Sequence, residues 1–485
     1  MTPVIGLDIG TSAVKALLLA DSVLAQAEIP LQTHHPAKLA AEQEVEDWPR
    51  AVESALASLH AQAGVAMAGV RAIGIAGHMH AVTLLDAQDR AVRPAMLWND
   101  GRAHAQAAAL NAQAPELAAT LGVPAMAGLT APKLVWLAQH EPDSLARTRW
   151  LLGAADRVHL HLTGERVAAI SDAAGTWLLD QAARRWCEPA LALCGVDPRW
   201  LPGLREGSVA AGTLRPALAQ KFGMAPGVVV AGGAGDTPAG GVGIGATQPG
   251  SGYVALGTSA QIFVAADAHR PAPAHMVHAF CHALPASWYQ MAALQNGASV
   301  LGLVARLTGQ SPAALLEAAG AAYAGPGSLR MLPYLSGERT PHDDPRARGV
   351  FFGLDSETSP VSLTIAALEA VAFSLADGRD ALAEAGVRLH RAGFIGGGAR
   401  SRLWGRIIAA VLGIELEIYA SGERGPALGA ARLARLALGE EAQSVLAPAR
   451  TAEVIVPEPA LTEAYQAPLA AFRRLYRILR PEFSA

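Results

Sequence analysis

The tripeptide Gly-Thr-Ser occurs at two comparable points of the chain, as Gly10-Thr11-Ser12 and as Gly257-Thr258-Ser259, each followed by alanine. In both places an apolar β-like run leads into the tripeptide and another leads out, so each reads as strand, polar turn, strand. Such a turn offers successive backbone N–H groups and two hydroxyls to an anion, a donor set that suits a polyphosphate. Asp8 stands at the edge of the first turn, where a carboxylate can hold Mg²⁺ directly or through water. Asp236 ends the glycine-rich stretch Ala231-Gly232-Gly233-Ala234-Gly235 after a short strand over 228–230, and the glycines let a substrate approach it closely as a general base. Taken alone, either carboxylate also reads as an ordinary turn residue.

Further groups could supply the rest of a site. Gly396-Gly397-Gly398-Ala399 lies between a strand and a helix, where glycines would let an adenosine lie against the backbone, although the full dinucleotide fingerprint is absent. Met79 and His80, preceded by His78 and followed downstream by Trp98, Asn99, Asp100 and Arg102, combine an apolar wall with hydrogen-bonding groups, the mixture a polyol pocket requires. His275, His278, Cys281 and His282 are close in sequence, but their segment reads as a strand whose alternation sends them to opposite faces, which argues against zinc.

These residues need elements to position them. Strands are expected over 4–7, 14–19, 70–75 and 81–85, with a helix over 48–63. The pattern restarts near 250, with strands over 253–256 and 261–265. A long helix over 363–385 stops at Gly386, and 392–418 reads as a βαβ unit whose helix is capped by Ser401. A last helix over 426–438 has Pro426 in its first turn. The sum is α/β with two duplicated halves, expected as domains 1–247 and 248–485, the break falling where Gln248-Pro249-Gly250 interrupts the pattern.

Composition excludes several classes. At 485 residues the chain is too long for one small module, and 51% hydrophobic with 16% charged residues is material for sizeable cores rather than disorder. A net charge of −4 with no basic run argues against a nucleic-acid partner. None of the lysines Lys15, Lys38, Lys133 and Lys221 follows a glycine, so there is no Walker A loop. Three cysteines fit a reducing compartment, and the lack of an 18-residue uncharged apolar run speaks against a membrane span, so a cytoplasmic location is expected.

In order along the chain, Ile5-Gly-Leu-Asp-Ile-Gly-Thr-Ser12, Gly74-Ile-Ala-Gly-His-Met-His80, Leu97-Trp-Asn-Asp-Gly-Arg102, Ser171-Asp-Ala-Ala-Gly-Thr176, Leu256-Gly-Thr-Ser259, Leu332-Pro-Tyr-Leu-Ser-Gly-Glu-Arg-Thr-Pro-His342, Gly396-Gly-Gly-Ala-Arg-Ser401 and Gly425-Pro-Ala-Leu-Gly-Ala430 together resemble the FGGY family of carbohydrate kinases over nearly the whole length. The resemblance implies the actin-like ATPase fold, two ribonuclease H-like domains with ATP between them. It also implies transfer of the ATP γ-phosphate to the 5-hydroxyl of D-xylulose. In that reading Asp236 is the catalytic base and Asp8 the Mg²⁺-associated aspartate. Met79, His80, Trp98, Asn99, Asp100, Arg102 and Thr237 are on the sugar side. Gly10, Thr11 and Ser12 form the first phosphate loop, Gly257, Thr258 and Ser259 the second, and Gly396, Gly397, Gly398 and Ala399 the adenosine motif. Three features depart from the pattern: Thr237 stands where Asn is usual, His78 where Gln is usual, and the glycine run before Asp236 is one residue longer. The alternatives are another ketose or polyol as substrate, or an actin-like ATPase without sugar kinase activity. The expected partner is a small sugar, with no nucleic acid or membrane, and a homodimer is left open as the assembly.

Overall fold

In the computed structural model, which describes residues 2–420 and 425–484, each half of the chain is built on a seven-stranded sheet. The first half supplies β1 (Val4–Ile9), β2 (Ala13–Leu19), β3 (Val23–Pro30), β4 (Ala72–Gly77), β5 (Ala210–Thr213) and β6 (Val229–Ala231), in spatial order β5-β6-β4-β1-β2-β3, and Ala234–Gly235 pairs onto the end of β4. The second half supplies β7 (Gly252–Leu256), β8 (Ala260–Ala266), β9 (His278–Cys281), β10 (Trp288–Leu294), β11 (Arg391–Ile395), β12 (Glu415–Tyr419) and β13 (Thr451–Ile455), in order β9-β10-β8-β7-β11-β12-β13.

The sheets repeat one topology. β1 and β2 are antiparallel and β1 and β4 parallel, as β7 and β8 are antiparallel and β7 and β11 parallel. The agreement continues outward: β3 is to β2 as β10 is to β8, β6 to β4 as β12 to β11, and β5 to β6 as β13 to β12. The repeated tripeptide therefore marks a repeated fold, the two-domain α/β architecture of the actin and ribonuclease H type. The expected strands are present, with ends displaced by up to two residues. β1 is buried along its whole length, as a central strand covered on both faces must be, and its non-aliphatic members are Gly6 and Asp8.

Helices cover the sheets. Amphipathic α1 (Asp47–Ala63) buries Trp48, Val52, Leu56 and Leu59 against the first sheet. α2 (Thr130–His140) lies in the insertion between β4 and β5. α3 (Asp236–Ile244) ends the first half. α4 (Pro360–Glu384) is long and apolar enough to cross a membrane by composition, yet it lies within the second core and carries buried Glu369 and Asp377. α5 (Arg402–Leu412) is capped as expected, the Ser401 hydroxyl accepting from the Trp404 amide at 3.2 Å.

The last helix named by the sequence, α6 (Gly425–Ala437), belongs to the second half in chain order but packs on the first. Ala427, Ala431 and Ala434 lie against Val4, Leu17 and Ala72, and Ala430 and Leu433 against Ala239 and Val242 of α3. The approach is backbone to backbone. A methyl group built at Gly6 of β1 would run into the Ala427 carbonyl, one at Gly74 of β4 into the Ala430 carbonyl, and one at Gly429 into the Ala239 carbonyl. Arg432 donates to the Val242 carbonyl at 3.0 Å, and Arg435 to that of Ala20.

Overpacking a close contact destabilises by about 1–3 kcal/mol, so Gly429→Ala should lower thermal stability by that order. Gly320, exposed within the helix Pro312–Ala322 with nothing near its Cα, is the control: Gly320→Ala should gain up to about 1 kcal/mol. Calorimetry on the two variants checks this, and equal shifts would dismiss the steric argument.

Candidate active site

The candidate base and metal ligand stand at the carboxyl ends of parallel strands, where α/β sheets present their ligands. Asp8 pairs in register with Ala76 of β4, which pairs with Ala234; Asp236 follows two residues later. Asp8 is thus inside β1, across from Lys15 of β2, rather than at the edge of the turn. Asp236 likewise does not stand on an open turn: it is the first residue of α3, after a reversal at Gly233 (φ +83°).

Burial and like charge dominate here. The Asp8 carboxyl is raised to about 7, first by burial and then by repulsion from Asp236, with Lys15 opposing. Asp236 is raised to about 6 by burial, against hydrogen bonds from its own and the Thr237 amide and from the Thr237 hydroxyl. The Thr237 amide donates to Asp236 Oδ1 at 2.7 Å. A helix N-terminus favours a carboxylate by only about 0.3–1 kcal/mol, so desolvation wins. Behind them, buried Asp172 is raised by burial and by the charges of Asp156 and Asp236.

Asp8 carries no side-chain hydrogen bond among the described residues, and no group of three His, Cys, Asp or Glu there could hold a metal alone. A buried, unpartnered carboxylate facing a second one fits a hard cation such as Mg²⁺, which takes oxygen ligands and retains water and phosphate oxygens in its shell.

On one side of Asp236 lie the sugar-side candidates. Buried Met79 touches Gly235 closely enough that a Cβ there would strike its side chain. His80 Nδ1 lies 2.6 Å from the Gly175 carbonyl, and burial pushes its pKa down to about 3. A neutral ring donating there keeps Nε2 as an acceptor. His78 is buried, with Nδ1 3.0 Å from the Ile9 carbonyl and no partner at Nε2. Trp98 is 40% exposed and its indole N–H donates to the Thr11 hydroxyl at 3.0 Å, with exposed Asn99 beside it. Asp100 and Arg102 are tied to each other and to the segment at 41–42: the Asp100 carboxylate accepts from the Ala41 amide and from Arg102 Nε and Nη2, and Arg102 also pairs with Glu42 and covers the Trp136 ring at 4.8 Å, which leaves its Nη1 available to a ligand.

On the other side a cavity of about 300 Å³ is lined by Asp236, Thr237, Tyr253, Gly257, Gln261 and Gly396, among others. The Tyr253 hydroxyl donates to the Thr237 carbonyl at 3.3 Å and accepts from Gln261 at 3.2 Å, joining β7 and β8 to the base. The second turn is backed by the Ser299–Thr308 helix, the Ala298 and Gly297 amides donating to the Gly257 and Thr258 carbonyls. Gly396 (φ +94°) presses on the Leu256 backbone, where no side chain fits. Gly397 and Gly398 open onto a second cavity of about 590 Å³ walled by Leu301, Leu316 and Trp404. The glycine run thus faces both cavities, and Ala399 continues it into the turn before α5. Tyr253, Gln261 and the walls at 301 and 316 were not singled out by sequence. Their only local signal is the β alternation beside Gly257 and the apolar helical spacing after residue 298.

Residues 3–243 match the N-terminal domain of the FGGY family of carbohydrate kinases and residues 252–438 its C-terminal domain. The chain is 42% identical to a xylulose kinase of Escherichia coli K12, over 98% of this chain and 99% of the relative. It is 40% identical to one of Klebsiella pneumoniae, over 99% and 100%. A crystal structure of a xyloylose kinase from Brucella ovis superposes with a TM-score of 0.96 at 42% identity, covering 98% of this chain and 99% of that one.

A carboxyl whose pKa is raised on folding contributes stability below its unfolded value, near 3.8, which is lost as pH rises toward about 7. Asp8→Asn should therefore raise the melting temperature at pH 8 and leave it unchanged near pH 4. Scanning calorimetry at the two pH values decides it; no gain at pH 8 would dismiss the repulsion.

Proposed function

The chain belongs to the FGGY family of carbohydrate kinases, and from that membership we propose that this ATP-dependent kinase phosphorylates the 5-hydroxyl of D-xylulose, with Asp236 as general base. The observation that carries the reading is the position of Asp236, between the Met79-His80 side and the cavity bounded by Gly257 and Gly396. Support for the sugar is the identity to xylulose kinases over nearly the full length.

Met79 supplies an apolar wall, and His80, Asn99 and the Thr237 region supply polar contacts to the sugar, while Asp100 and Arg102 act indirectly by bracing the Trp98-Asn99 segment. The sugar hydroxyl gives its proton to Asp236, its oxygen attacks the γ-phosphorus in line, and ADP leaves carrying the broken P–O bond's electron pair. The Gly10–Ser12 and Gly257–Ser259 turns offer hydroxyls and backbone amides to the phosphates, apart from the Gly10 amide, which donates to the Ala13 carbonyl at 3.0 Å, and adenosine lies along Gly396–Ala399 in the larger cavity. Asp8 would hold Mg²⁺, which supplies neutralisation of the phosphate charge when bound. We take 1–247 and 248–485 as the two lobes, working in the cytoplasm, where Cys187, Cys194 and Cys281 stay free.

General-base assistance contributes about 10²–10⁴ in rate, so Asp236→Asn should lose that much kcat while still binding sugar and ATP. Near-normal turnover would remove Asp236 from the role. In the wild type kcat should fall as pH drops below about 6, where the base takes up its proton. ADP release measured over D-xylulose, L-ribulose, D-ribulose, L-xylulose, glycerol, xylitol and gluconate should give D-xylulose the highest kcat/KM.

A further inference from the structure

Lys133, on α2, has no solvent exposure. It makes no ion pair among the described residues, and its ammonium is held by backbone carbonyls alone: that of His80 at 2.7 Å, of Leu97 at 2.8 Å and of Met96 at 3.4 Å. An ammonium has three N–H donors, one for each of the three carbonyls, and these contacts oppose the burial that pulls the Lys133 pKa down to about 7. The arrangement binds main chain, and the main chain it binds is informative.

His80 adopts a left-handed backbone (φ +73°), uncommon for a residue with a side chain. Its carbonyl accepts a second hydrogen bond, at 3.2 Å, from Thr130 on the same helix, while its ring is fixed on Gly175. Leu97 immediately precedes Trp98. Two segments from either side of the strand over 83–85, each carrying sugar-side groups, therefore converge on one cation. Strained backbone of this kind persists only where its surroundings over-determine it.

We propose that Lys133 is a positioning residue for the sugar, its ammonium clamping the Met79-His80 turn to the Leu97-Trp98 segment so that the pocket is set before substrate arrives. This rests on the reading of that side of the cleft as the sugar pocket. The nucleotide cavities contain no residue of α2, so the clamp acts on one substrate only.

The test is steady-state ADP release by Lys133→Met and Thr130→Val, with sugar and ATP varied separately, beside the wild type. Leaving buried carbonyls without donors should raise the KM for sugar about tenfold or more in Lys133→Met and about threefold in Thr130→Val, with the KM for ATP within about twofold of wild type. An unchanged sugar KM, or equal losses for sugar and ATP, would overturn the clamp. If Lys133→Met does not fold, Thr130→Val decides by the same criteria. Wild-type turnover of D-xylulose tests the functional reading by itself. The clamp is read from the ratio of variant to wild type on whichever sugar of the screen the wild type phosphorylates.

Discussion

The geometry of the cleft depends on the close contact of α6 with β1, β4 and α3, where backbone meets backbone at Gly6, Gly74 and Gly429. At these three points the packing leaves little freedom, because no side chain intervenes that could give way to absorb a shift. α6 belongs to the half that carries the Gly257 and Gly396 turns, and α3 begins at Asp236, so the contact of α6 with α3 joins that half to the helix that bears Asp236. The same strands that carry the contact glycines carry the chemistry. β1 presents Gly6 to α6 and, two residues on, Asp8 to the cleft, since alternate residues of a strand share a face.

Placing Asp8 and Asp236 together in a buried setting works against stability, as their raised pKa values record. That opposition is informative: two carboxylates held in mutual repulsion are a fixed negative field awaiting positive charge or a proton. For Asp236, a pKa near 6 is closer to neutral pH than an ordinary aspartate, so its carboxylate both stays ionised near neutrality and has affinity for a proton, as the proposed general base requires.

The hairpins around residues 10 and 257, the duplication and the Ser401 cap were all legible, because each rests on local periodicity or local hydrogen bonding. The error at Asp8 has a physical source. A charged residue in an apolar run reads as its end, but pairing with Lys15 and Ala76 carries the strand through it. At Asp236 the following segment contains Gly240, Gly241 and Gly243, poor helix formers, so the turn reading prevailed; packing against α6 makes the helix. Asp100 and Arg102 looked like ligands because their type and spacing suit a polyol. Only the fold shows that Glu42 and the Ala41 amide, from a distant segment, already hold them. Lys133 was noted among the lysines, yet nothing in its neighbourhood reveals three carbonyl partners from two other segments.

Water competes with the acceptor for the phosphoryl group of any kinase, so the walls of such a site must hold together closely enough to exclude it. Exposed Trp98 donates its indole N–H to the hydroxyl of Thr11 in the turn after β1, and the Gln43 side-chain amide donates to the Thr11 carbonyl at 2.6 Å. Because Trp98 follows the segment gripped by Lys133, and Thr11 follows the strand bearing Asp8, one hydrogen bond joins the two segments. The bond ties these two walls of the cleft together locally, so each limits how far the other can move.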